Sequence, residues 1–168
     1  MIRPFVAALA ALSLVAPAMA TPTRGDAEQN LISTIQQTGT RIVLNCPDGT
    51  AFQGAYMSSN RLMGICVDGR SPRTWTAEEQ DTLRHEAIHL AQDCMGRLAD
   101  DDLETTQTIT RLMRVVMESG IDAAEIERTY RRLGADDLTI VLELEAFSLA
   151  AAMSTQEVDY LVRRSCFR

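Results

Sequence analysis

A chain of 168 residues with a formal net charge of −7 can bury the core of one ordinary domain. Acidity of that size argues against nucleic acid and against an anionic membrane surface as partners. All 16 basic residues are arginine, and no internal repeat or low-complexity segment breaks the chain.

Met1 to Ala20 reads as a signal peptide. Arg3 supplies a positive start, Phe5 to Val15 an apolar run, and Ala18-Met19-Ala20 the small residues of a cleavage site. The run is shorter than the roughly 20 residues that a spanning helix needs. Removal on export leaves residues 21–168 as one domain, secreted or periplasmic, with no membrane attachment. Its four cysteines, Cys46, Cys66, Cys94 and Cys166, form an even set, which in an exported chain points to two disulfides. Of the three pairings, the expected one joins Cys46 to Cys66 locally and Cys94 to Cys166 at long range. No C-x-x-C spacing supports a cysteine zinc site.

Leu31, Ile32 and Ile35 recur at helical spacing within Asp26–Gln37, ahead of a Thr-Gly break. Arg41 to Cys46, Ala51 to Met57 and Arg61 to Val67 then read as three short strands, with Pro47-Asp48-Gly49 and Ser58-Ser59-Asn60 as turns. They suggest a small antiparallel meander whose first and third strands are joined by Cys46 and Cys66. Ser71 to Thr74 links this sheet to a helix over Thr76–Met95, where Thr76 and Glu79 form a capping box. The rest reads as helical: Asp101–Glu118, with Leu103, Ile109, Leu112, Val115 and Val116 as a buried stripe, and then Ala123–Leu133. Leu138–Met153 follows, apolar on nearly every side and so expected to be buried, and a last helix opens on a Ser154/Glu157 box and runs to about Arg164. The fold class is α+β, a small antiparallel sheet followed by a mostly helical domain.

Chemistry concentrates in the Thr76–Met95 helix, at His85-Glu86-Ala87-Ile88-His89. The chain has only two histidines, and both lie here. Residues four apart share a helical face, so both imidazoles can reach one ion, with Glu86 beside them as a general base. A catalytic zinc needs a third protein ligand, and with no third histidine it must be a carboxylate. Asp93 suits a supporting role behind the ligands, and Asp100 to Asp102 look like a solvated cap. Glu143 and Glu145 are the only charges in the apolar Leu138–Met153 helix, where an unpaired carboxylate is costly. A metal ion or an arginine partner would compensate that cost. Being two apart on a helix, they face different sides, and only one can be the ligand.

The H-E-x-x-H helix resembles the active-site helix of the zincin metallopeptidases. Glu143-Leu144-Glu145-Ala146-Phe147 is similar to the downstream E-x-x-A-D stretch of the gluzincin group, with Glu143 at the ligand position. Glu145-Ala146-Phe147-Ser148 offers a second register, and Glu143 is preferred. Phe147 stands where the group usually has an acid or amide, and the glycine-histidine extension of a sister group is missing. The resemblance covers these two stretches rather than the whole chain. It implies a zincin-like domain with Zn2+ held by His85, His89 and one of Glu143 and Glu145. Glu86 would be the base in the hydrolysis of a peptide or protein substrate. It also implies a sheet edge that takes substrate as an added strand, either Ala51–Met57 or Arg61–Val67. Tyr130 and Tyr160 are candidates for stabilising an oxyanion, although both fit buried structural tyrosines better. The alternative is a degenerate zincin, a secreted, disulfide-bonded binding domain without catalysis.

Overall fold

The computed structural model describes residues 25–46, 53–96, 98 and 102–167. The signal-peptide stretch, the Pro47-Asp48-Gly49 turn, Ala51, Asp100 and Asp101 lie outside them. Six α-helices and three strands occur among the described residues: α1 Asp26–Gln37, β1 Arg41–Val43, β2 Gly54–Met57, β3 Leu62–Ile65, α2 Ala77–Met95, α3 Ile109–Ser119, α4 Ala123–Arg132, α5 Asp137–Ala152 and α6 Thr155–Cys166. The chain is α+β.

The two capping boxes start their helices where the sequence predicts them. Glu79 N–H donates to the Thr76 hydroxyl at 3.2 Å, and Thr76 N–H donates to the Glu79 carboxylate at 2.7 Å. Ser154 and Glu157 repeat the exchange at α6. From its cap, α2 runs through the centre of the molecule. It packs on β2 and β3, on α5 and α6, and on α1. Leu83, Ala87, Ile88, Leu90 and Ala91 are fully buried there beside Leu31 and Ile35 of α1, Met63 and Ile65 of β3, and Val158 and Val162 of α6. Burying each of the larger of these side chains contributes about 1.5–3 kcal/mol. Trp75 closes the core just ahead of α2, its indole N–H donating to Arg70 O at 3.0 Å.

The sheet is mixed rather than a meander, with order β1-β3-β2. β3 pairs antiparallel with β2 through Gly54↔Ile65 and Met57↔Leu62, and parallel with β1 through Arg41↔Leu62 and Val43↔Gly64. The Cys46–Cys66 bridge accounts for this order. In a meander the first and third strands lie two spacings apart, about 9.6 Å, beyond the reach of a disulfide. With β3 in the middle, both cysteines emerge at the same end of neighbouring strands, and their Cα atoms are 5.0 Å apart. Cys94 and Cys166 form the second bridge, also with a Cα separation of 5.0 Å, and it ties the last turn of α2 to the end of α6. Two disulfides fit an oxidising, extracellular or periplasmic location. No helix among the described residues is long and apolar enough to cross a membrane.

The helix expected over Asp101–Glu118 starts only at Ile109. Its first expected turns are pulled out of helix because their amides donate elsewhere. Glu104 N–H goes to Gln92 O, and Thr106 and Gln107 N–H go to the Glu145 carboxylate. Of the expected buried stripe, Leu112 is buried and Leu103, Val115 and Val116 are half-buried, whereas Ile109 is 61% exposed and shares an open face with Met113 and Met117. The expectation for α5 holds along most of its length, where it packs against α2, α3 and α4. Leu138, at its first turn, is exposed.

Candidate metal centre

α2 brings His85 and His89 to one face, and α5 crosses it with Glu143. Three donor atoms converge there. His85 Nε2 and His89 Nε2 are 3.0 Å apart, and Glu143 Oε2 lies 3.4 Å from the first and 3.5 Å from the second. Ligand atoms about 2.0–2.1 Å from a tetrahedral zinc sit about 3.3 Å from one another, so the three separations bracket that figure. The Glu143 oxygen is buried and takes no hydrogen bond, which suits an atom aimed at a cation. His85, His89 and Glu143 therefore fit a divalent ion as a donor set.

Glu145 is not part of this cluster. Each residue turns an α-helix by about 100°, so a side chain two positions on points the opposite way. Fully buried, Glu145 accepts from Gln92 Nε2 at 2.9 Å, Thr106 N–H at 3.0 Å, the Thr106 hydroxyl at 3.0 Å and Gln107 N–H at 2.8 Å. Amides and a hydroxyl compensate this charge.

Glu86 lies one residue from His85, almost wholly buried. Burial pushes its carboxyl up, against the lowering influence of the two imidazoles and of the Tyr56 backbone N–H that it accepts. For Glu143 burial also acts upward, but the facing imidazoles outweigh it and hold the carboxyl well below the usual carboxylate range. Burial lowers His89, and the carboxylates of Glu143 and Glu86 overcome that and raise it.

Two cavities adjoin the cluster. One, about 280 Å³, is lined by Tyr56, His89, Leu103, Thr139 and Glu143; the other, about 290 Å³, by Gly54, Glu78, Asp81, Glu86, Tyr130 and Phe147. No arginine among the described residues lines either cavity. β2 borders both and packs on α2. A Cβ on Gly54 would lie 2.5 Å from Thr82 Cγ2 and 3.1 Å from Glu86 Cγ, so only glycine lets this strand approach so closely. β3 is the centre of the sheet, which removes Arg61–Val67 as a substrate-binding edge.

Tyr130 of α4 reaches the site, its phenol facing Glu143. Burial and then that carboxylate push its pKa far up and keep it a donor. Tyr160 is 66% exposed on α6 and lines a separate groove against α3. Phe147 lies on His85, ring centroids 4.3 Å apart, and His85 Nδ1 is buried without a hydrogen-bond partner. Asp93 accepts the Tyr56 hydroxyl. The sequence reading missed Gln92, whose Oε1 meets His89 Nδ1 at 2.8 Å. An amide three residues after a candidate ligand on the same helix was the available signal. No known protein family, curated protein or solved structure matches the chain.

Proposed function

We propose that this protein is an exported zinc-dependent peptidase, with residues 1–20 removed on export. The observation that carries the reading is the convergence of two imidazole nitrogens and one carboxylate oxygen, all within 3.5 Å of each other, with Glu86 alongside. Zinc held by His85, His89 and Glu143 would supply a Lewis acid that polarises a carbonyl and lowers the pKa of water to about 7.

The chain supplies the rest. Glu86 takes a proton from the attacking water and returns it to the leaving amine, a role that suits a carboxyl raised by burial. The Tyr130 phenol donates to the developing oxyanion. The outer edge of β2 lies along both cavities, where a peptide in extended form can follow it and present its carbonyl to the cluster.

The test is zinc content and peptide hydrolysis by the purified mature protein, with and without chelator. About one zinc and chelator-sensitive cleavage are expected. Glu86→Gln should keep the zinc and lower turnover by about 100-fold or more. A protein that binds no zinc overturns the reading. The unpartnered His85 Nδ1 beneath Phe147 favours a second one, a secreted binding domain that retains the ion without catalysis. Zinc without hydrolysis would establish it.

A further inference from the structure

Glu145 has a consequence beyond its own burial, and it runs through Gln92. The Gln92 side-chain nitrogen donates to two groups, Leu142 O at 3.0 Å and Glu145 Oε2 at 2.9 Å. A carbonyl and a carboxylate oxygen only accept, so the amide nitrogen must face them. The amide oxygen is thereby turned to His89 Nδ1, 2.8 Å away. That oxygen also only accepts, so Nδ1 must carry the hydrogen. A neutral His89 then keeps its lone pair on Nε2, the atom that faces His85 and Glu143.

We infer that Glu145 is a positioning residue: through Gln92 it selects the His89 tautomer whose Nε2 is free to coordinate. With the same two oxygens it pins Thr106 and Gln107, just after the segment whose Leu103 walls the cavity beside His89. Glu145 thus joins a candidate ligand and a cavity wall to one buried carboxylate. The consequence for metal affinity rests on the zinc reading above; the tautomer does not.

The metal-free mature protein, held at a pH where its imidazoles are neutral, tests the inference by nitrogen-15 NMR of the histidine rings. The chain has two histidines, and His85→Ala assigns them. Wild-type His89 should be protonated at Nδ1. Glu145→Leu removes both acceptor oxygens and frees Gln92 to turn over. Gln92→Leu removes the His89 acceptor outright and stands in if Glu145→Leu does not fold. Either variant should move the His89 proton toward Nε2 and weaken zinc binding, read by chelator competition, about 10–100-fold. Val158→Ala, which empties fully buried space in α6 away from these contacts, should lower stability and leave the tautomer unchanged. An Nε2–H wild type overturns the inference, as does an unchanged tautomer in whichever of the two variants folds. A wild type with the expected tautomer and no zinc affinity upholds the inference and removes the zinc reading alone.

Discussion

Gly54→Ala probes how closely β2 must approach α2, the helix that carries His85 and His89. The added Cβ would sit 2.5 Å from Thr82 Cγ2, whereas carbon atoms in contact sit about 3.5–4.0 Å apart. Thr82 cannot simply turn away. It is β-branched and stiff within a helix, and its hydroxyl bonds Glu78 O at 2.9 Å. Strand and helix must therefore separate by about 1 Å, carrying the Tyr56 N–H away from Glu86. A misplacement of about 1 Å near the reacting groups costs about 100-fold in turnover. Zinc should stay at one equivalent, because none of the three donor residues appears among the atoms nearest the added Cβ. Thr82→Ser deletes Cγ2 and keeps the hydroxyl, so adding it to Gly54→Ala should restore much of the lost kcat/KM. The assay is peptide hydrolysis with metal content and melting temperature measured on the same preparations. If Gly54→Ala turns over at the wild-type rate with its fold intact, the β2 edge does not position substrate or base. If the double variant shows no recovery, the clash is not the cause.

Replacing Cys94 and Cys166 by serine opens a loop of 72 residues, and denaturant titration should show a loss of about 4 kcal/mol, with peptide mapping finding no other pairing to compensate. The pH dependence of the metal-free protein follows from two shifts. Glu143, lowered from 4.5, contributes stability above that value that is lost as pH falls through its folded pKa; His89, raised from 6.5, contributes stability below 6.5 that is lost as pH rises through its folded pKa. Metal-free stability at this site should thus be greatest in mild acid, whereas zinc, which needs neutral imidazoles, should add progressively more to the melting temperature as pH rises through the raised pKa of His89. Cavities whose described lining carries Glu78, Asp102 and Asp136 and no arginine should favour cationic peptides, so exchanging arginine for glutamate beside the scissile bond should lower kcat/KM, and added salt should shrink the difference.

What could be read directly from the sequence was short in range. The capping boxes at Thr76 and Ser154, the i, i+4 pairing of His85 with His89, and the opposed faces of Glu143 and Glu145 all follow from helix geometry. Strand order did not, because it depends on which distant strands pair. Even so, the expected Cys46–Cys66 bridge already excluded the meander expected with it. α3 starts later than expected for a long-range reason. Thr106 and Gln107 have helical neighbours in sequence, but their amides bond a carboxylate 38–39 residues later. Assigning Glu145 a place among candidate ligands came from the right premise, that a buried charge needs compensation. Backbone amides from a distant segment are invisible to periodicity.

The disulfide between Cys94 and Cys166 closes two residues beyond Gln92, on the turn of α2 that supports His89. A reduced chain lacks this staple and the one in the sheet, so it is least stable in the compartment where ribosomes make it. Oxidising conditions therefore add stability at the turn of α2 that carries His89, and a copy held under reducing conditions is the more easily unfolded and degraded.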